Sequence, residues 1–188
     1  LKDYPAAENF PGVTLLGPDP AASGGIVIND RAAEVDYRDD IRVGYRHFNT
    51  RGIEVAYPFG YGLSYTRFEY RDLKLTREDA GFTASIIVTN TGRRAGKEVV
   101  QLYVSAPNDG LEKPAAELRA YARTRLLQPG QSQKLVMWVE PRGLTSFDPA
   151  VHRWVAHPGR YTVRIGASSR DIRQQAQFDI KDELSFMP

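Results

Sequence analysis

Tyr57-Pro58-Phe59-Gly60-Tyr61-Gly62-Leu63-Ser64-Tyr65-Thr66-Arg67-Phe68 divides the chain into two regimes. Pro58 fixes its own φ and biases Tyr57 toward an extended backbone, while Gly60 and Gly62 permit a positive φ or a close backbone approach. Four rings, those of Tyr57, Phe59, Tyr61 and Tyr65, therefore hang on a bent backbone that is neither helix nor strand. Two readings fit this spacing: a wedge docked between neighbouring structural units, or an ordinary buried loop whose rings pack beside its glycines. The first makes Tyr57, Pro58, Phe59, Gly60, Tyr61, Gly62 and Tyr65 a structural junction, with Phe59 and Tyr61 as its buried anchors and both glycines in backbone conformations that a β-carbon would strain.

After Phe68 the apolar pattern has period two. Phe82, Ala84, Ile86 and Val88 alternate with Thr83, Ser85, Ile87 and Thr89, and Asn90-Thr91-Gly92 follows as a hairpin signal. Glu98 to Ser105 is a second strand with Val100, Leu102 and Val104 on one face. Gln133 to Val139 is a third, with Leu135, Met137 and Val139 on its apolar face; Tyr161, Val163 and Ile165 mark a fourth, and Phe178 and Ile180 a closing strand. Pro129-Gly130 and Pro158-Gly159 punctuate these runs, so the spacing predicts an antiparallel sandwich. Trp154, set among strand-like neighbours near Phe147, is expected in its core.

Before the junction the pattern is weaker. Residues 1 to 34 carry Pro5, Pro11, Pro18, Pro20 and Ser23-Gly24-Gly25 around one short apolar run, Ile26-Val27-Ile28, and cannot build a core alone. Ile41, Tyr45 and Phe48 recur at helical spacing, with Asp39-Asp40 before them and Gly52 behind, which predicts a short amphipathic helix starting at the acids.

At 188 residues and 41% hydrophobic content the chain can bury a core of one domain plus an appendage. Charged residues make up 26% and cancel to a formal +2, which leaves no strong field to gather nucleic acid or an anionic membrane. Arg93, Arg94 and Lys97 are the densest basic group, and without aromatic stacking partners they read as a solvated turn. Cysteine is absent, which excludes disulfides, thiolate metal sites and a cysteine nucleophile but leaves the compartment open. No apolar run approaches the roughly 20 residues that span a bilayer. The chain starts at Leu1, without an initiator Met or an apolar leader, and its natural N-terminus is expected upstream.

The residues that could carry chemistry are dispersed. His47, His152 and His157 have no metal-ligand spacing, and the last two, five apart around Trp154, are expected to face solvent. Ser64 lacks the glycine frame of a nucleophile elbow. Asp36, Asp39 and Asp40 read as helix-start caps, Asp148 as a turn start and Asp171 as a loop acid, so no carboxylate pair builds an active site unaided.

The junction string is preceded by Val43-Gly44-Tyr45-Arg46 and followed by Val88-Thr89-Asn90-Thr91-Gly92 and Gly96-Lys97-Glu98-Val99-Val100-Gln101-Leu102-Tyr103-Val104. Leu127-Gln128-Pro129-Gly130 and Gly159-Arg160-Tyr161-Thr162-Val163-Arg164-Ile165-Gly166 complete the series. In this order the motifs resemble the C-terminal part of glycoside hydrolase family 3 enzymes of the β-glucosidase type, over nearly the whole chain. The resemblance implies a mainly β fold: residues 1–56 as the end of an α/β sandwich domain, 57–67 as the junction, and 68–188 as a fibronectin type III-like, immunoglobulin-like β-sandwich. It implies retaining hydrolysis of β-glycosidic bonds by an aspartate nucleophile and a glutamate acid/base. Neither has a matching position here, so no catalytic residue, cofactor or metal ligand is carried over. The partners it implies are the N-terminal (β/α)₈ barrel and α/β sandwich portion of the same enzyme, on a separate chain, and β-linked glucosides as substrate of the whole, with no nucleic acid and no membrane. β-Xylosides or N-acetylglucosaminides are alternative substrates. A free-standing spacer or carbohydrate-binding module, with a platform among Tyr103, Tyr121 and Trp138, is the competing reading.

Overall fold

The computed structural model describes Tyr4, Val13–Thr14, Ala33–Glu34 and residues 40–78 and 81–188. The expected apolar run Ile26-Val27-Ile28, the loop around it, and Asp36 and Asp39 lie outside the described residues. The chain divides into two compact units, Leu1–Val43 and Gly44–Pro188. In the first, β1 (Val13–Thr14) pairs antiparallel with β2 (Ala33–Glu34).

The second unit is a β-sandwich. One sheet, in the order β11 (Ile172–Ile180), β10 (Gly159–Gly166), β5 (Val99–Ser105), β6 (Glu117–Arg123), faces another in the order β3 (Phe68–Glu78), β4 (Gly81–Asn90), β7 (Ser132–Val139). A small third sheet joins β8 (Ser146–Asp148), β9 (Arg153–Ala156) and β12 (Leu184–Phe186) in the order β12, β9, β8. Every pairing is antiparallel.

Alternation decides which face is buried. Phe82, Ala84, Ile86 and Val88 from β4 meet Val100, Leu102 and Val104 from β5 and Tyr161, Val163 and Ile165 from β10 in one core. Phe178 links the sheets by packing on Phe82, 4.9 Å between ring centroids, and stacking on Tyr161 at 5.5 Å. The Tyr161 hydroxyl donates to the His157 carbonyl at 3.1 Å, and burial pushes its pKa up to about 12.

Three sequence expectations change in the structure. Asn90-Thr91-Gly92 closes no hairpin, because β4 pairs with β3 and β7 while β5 belongs to the opposite sheet. Asn90 is fully buried there and bonds in four directions. It donates to the carbonyls of Arg94 (2.7 Å) and Leu127 (2.8 Å) and accepts from the Thr66 hydroxyl (2.6 Å) and Gly92 N–H (3.0 Å). A crossover whose backbone groups would otherwise be orphaned is thus held by one side chain.

The helix α1 covers only Tyr45–Thr50, and its N-cap is Gly44 at φ +58° with no side-chain cap, so Asp40 is not a capping residue. Gly52, at φ +66°, does follow its end. Trp154 is half-buried instead of core: it lies edge-on to Phe147, 5.6 Å between centroids, with the Arg142 guanidinium 5.5 Å over its ring. The three-stranded sheet β12-β9-β8 is too small to cover it.

Candidate functional site: the covered outer face of β5

In a two-sheet sandwich the outward side chains of a strand face water. On β5 they do not. Gln101 and Tyr103 alternate with the core residues Val100, Leu102 and Val104, yet both are buried, Tyr103 to 1% exposure. What covers them is α1 and the aromatic segment, both inside the second unit.

The Tyr45 ring stacks on Phe59 at 4.5 Å and meets Tyr103 edge-on at 6.1 Å. Its hydroxyl accepts from the Leu118 N–H of β6 at 2.8 Å. The next residue, Arg46, pairs with Glu117 at 3.1 Å, and Glu117 also accepts from Arg119 at 2.6 Å. Thr50, at the far end of the helix, accepts from the Ala115 N–H at 2.9 Å. A six-residue helix is too short to persist alone, since isolated helices below about 12 residues are marginal. These contacts hold it.

The loop joining β10 to β11 supplies the other anchor. Arg170 reaches the Asn49 side chain at 2.9 Å and the backbone carbonyls of Phe48 and Ile53 at 3.1 and 2.5 Å, capping the helix end from outside. Ser169 N–H donates to the Phe59 carbonyl at 2.9 Å, while the buried Ser168 hydroxyl accepts from the N–H groups of Arg170 and Asp171 and shapes the loop.

Gln101 ties the segment down. Its amide donates to the carbonyls of Gly60 (3.1 Å) and Ala167 (2.8 Å), and its oxygen accepts from the Tyr103 hydroxyl at 2.5 Å. Burial raises the pKa of Tyr103 well above the ordinary phenol value. Pro58 and Tyr61 close a tight turn through a 2.9 Å backbone bond, with Gly60 at φ +81°.

The sequence-derived junction residues divide into two sets. Phe59 and Gly60 contact the sandwich, and Tyr61 leans on Tyr57 at 5.2 Å, but Phe59 and Tyr61 are not the buried anchors expected: they are 47% and 49% exposed, because each packs on one side only. Tyr57, Leu63 and Tyr65 project outward, at 73%, 90% and 93% exposure. Gly62 has no positive φ, and the position of its missing β-carbon is open space, so strain is confined to Gly60. Sequence reasoning missed Gln101 and Arg170 and took Tyr103 for a surface platform, although it is buried. For Gln101 and Tyr103, the signal was a polar-aromatic pair at the outward positions of an otherwise apolar strand.

The other candidates stay apart. His152 is exposed in the turn before β9, and His157 faces Glu183 at 3.3 Å. Asp148 caps its own turn through Ala150 N–H, and Asp171 holds Arg173 in a two-pronged pair. Ser64 is exposed and accepts from Thr66 N–H. Tyr103 cannot serve as a sugar platform because it is buried, while Tyr121 and Trp138 are exposed. Among the described residues no group of three metal-ligating side chains converges, and no helix is long and apolar enough to cross a membrane.

Residues 98–169 match the fibronectin type III-like domain family. Over 142 residues the chain is 45% identical to a β-glucosidase of Rhizobium radiobacter, covering 74% of this chain and 17% of the relative. Against β-glucosidase A of Butyrivibrio fibrisolvens it is 38% identical over 195 residues, covering 92% of this chain and 21% of that one. β-Glucosidase 3B of Thermotoga neapolitana, solved in complex with α-D-glucose, superposes on 100% of this chain and 24% of its own with a TM-score of 0.85 at 42% identity. The chain thus spans about a fifth of the length of the curated relatives it matches.

Proposed function

We propose a function on the premise that the chain belongs to the glycoside hydrolase family 3 β-glucosidases as a C-terminal portion of such an enzyme: it is the non-catalytic brace of an exo-acting β-glucosidase. The observation that carries this is the covered outer face of β5, where α1 and residues 57–67 are pinned to a rigid sandwich by Tyr45, Gln101 and Arg170. The arrangement supports a docking element, since a module working alone gains nothing from an outward row of rings at Tyr57 and Tyr65.

In the enzyme so completed, β-glucosides are hydrolysed with retention: one carboxylate forms a glycosyl-enzyme intermediate, and the other protonates the leaving group and then activates water. Both carboxylates belong to the barrel and α/β portion of the enzyme. No cofactor takes part. Residues 1–56 complete the α/β domain, 57–67 form the junction, and the fibronectin-like domain starts at Phe68. A brace that holds the catalytic portion against displacement matters because misplacement by about 1 Å costs on the order of a hundredfold in rate.

The test is an assay on aryl β-glucoside of the purified chain, alone and with the catalytic portion. The isolated chain is expected to give no turnover and the assembled enzyme to give hydrolysis with retained configuration. Turnover by the chain alone overturns the reading.

A further inference from the structure

β6 and β7 are the last strands of their sheets, and their free edges border a groove of about 460 Å³. That is the size of an ordinary small-molecule site, roughly 300–1,000 Å³. The groove exists because the inward side chains of β6 are only methyl groups: Ala120, opposite Leu102, is too short to fill the space beside Met137. Tyr121 stands on one bank and Trp138 on the other, 72% and 48% exposed. We propose that this groove binds a β-linked gluco-oligosaccharide through Trp138 and Tyr121. The choice of sugar and linkage rests on the functional reading above.

Three observations carry it. First, the Trp138 ring is fixed before any ligand arrives. Thr83 of β4 lies directly across the ladder from Trp138, and the indole leans over Gly81, where an added β-carbon would come within 2.6 Å of its Cη2 atom. The ring is thus held against the sheet by a neighbour without a side chain, while about half of the residue stays exposed. A surface ordered before contact loses little conformational entropy on binding. Trp138 also stands on the sheet β3-β4-β7, whereas α1, Phe59 and Gly60 lie over β5 of the other sheet.

Second, the groove suits an uncharged ligand. Among the described residues that line it only Arg119 is charged, and Glu117 pairs with that guanidinium at 2.6 Å. Arg119 has no partner across β5, because the register slips between Leu102 and Tyr103, and its Nε–H has no hydrogen-bond partner among the described residues. A spare donor beside two flat rings matches a polyol with apolar ring faces. In a β-linked glucose chain every hydroxyl is equatorial, so the axial C–H bonds make both faces of each ring apolar and leave the rim to hydrogen bonds.

Third, the groove is built against the other natural occupant of a free edge, a further strand. The bulge at Arg119 breaks the row of backbone groups on β6, and the Leu118 N–H is already taken by the Tyr45 hydroxyl. What remains along the two edges is a set of separate backbone donors and acceptors, which hydroxyl groups can use and a regular ladder cannot.

The test is a nuclear magnetic resonance titration of the chain with cellopentaose. The chain has two tryptophans, so two indole N–H signals report on it. That of Trp138 should shift saturably, while that of Trp154, set against Phe147 and Arg142, should stay in place. Maltopentaose, whose α-linkages curve the chain, should move neither. Tyr121→Ala should keep the melting temperature, because the ring is exposed, and should weaken cellopentaose binding by about tenfold. In the complete enzyme, retardation by a soluble β-glucan in a native gel should be smaller for Tyr121→Ala than for wild type. An unmoved Trp138 signal, equal shifts with maltopentaose, or equal retardation of the two enzymes overturns the proposal. Saturable binding by a chain whose complete enzyme has no β-glucosidase activity leaves the groove standing and removes the functional reading instead.

Discussion

Gln101 occupies the place that a side chain on Gly60 would need: a β-carbon there would lie 2.0 Å from the Gln101 Oε1 atom. The same glutamine donates to the Gly60 carbonyl, so the contact that excludes a larger residue also holds the turn. Gly60→Ala should destabilise the chain by about 1–3 kcal/mol, through its φ of +81° and the displaced amide together. Gly62→Ala, with open space and an ordinary φ, should be close to neutral. Urea denaturation of the two variants side by side checks the contrast, and equal losses would contradict it.

Arg170 holds three acceptors at the end of α1 from more than a hundred residues away. Arg170→Ala should release the helix without melting the sandwich, because the arginine contacts none of the inter-sheet core. Hydrogen exchange at residues 45–51 should rise while amides of β4 and β10 keep their protection. Arg170→Lys should not restore it, since an ammonium cannot present several donors in one plane. Uniform loss of protection across the sandwich would count against a local role.

The outer face of β5 predicts where a stable fragment begins. A chain from Gly44 to Pro188 retains the cover over Gln101 and Tyr103, whereas one from Phe68 exposes both. The longer fragment should therefore melt cooperatively at the higher temperature, which paired thermal scans by circular dichroism would show. Identical melting would mean that α1 and the aromatic segment contribute nothing.

Burial pushes the Glu98 carboxyl above its ordinary value, against the bond it accepts from Val99 N–H and the charge of Arg173. The folded state then holds this proton more tightly than the unfolded chain. Its stabilising contribution is full below the ordinary glutamate range, about 4.3, and is lost as pH rises through the raised value. Glu98→Gln should remove that part of the pH dependence. Tyr161 follows the same sign at the alkaline end, with a contribution present below the ordinary tyrosine value near 10 and lost as pH rises through about 12. Unfolding midpoints across the acid range for wild type and Glu98→Gln decide the first case, and a parallel pH profile in the two proteins would refute it.

Trp154 is half-buried against Phe147 and Arg142, so Trp154→Ala should cost less than the roughly 3–5 kcal/mol of a fully buried tryptophan, on the order of 1–3 kcal/mol. Equilibrium unfolding measures it. A cost at the top of the buried range would place the ring in the core after all.

The strands around Val88, Leu102, Met137 and Val163 were legible in the sequence because a half-buried strand must alternate, and each of these side chains is buried where alternation puts it. The family was legible for a related reason: several turn and strand motifs recur in one order. Local chemistry also placed Gly52 behind the helix and Gly60 in a turn. What only the tertiary structure decided are relations between distant residues. Asn90 carries a crossover and not a hairpin because its partners include the carbonyl of Leu127, 37 residues on. Gln101 and Tyr103 are buried because a helix beginning at Tyr45 lies over them, and α1 exists at its length because Arg170, 122 residues from Phe48, caps its end. Alternation reports which residues share a face, and it is the packing of the rest of the chain that determines whether that face meets water.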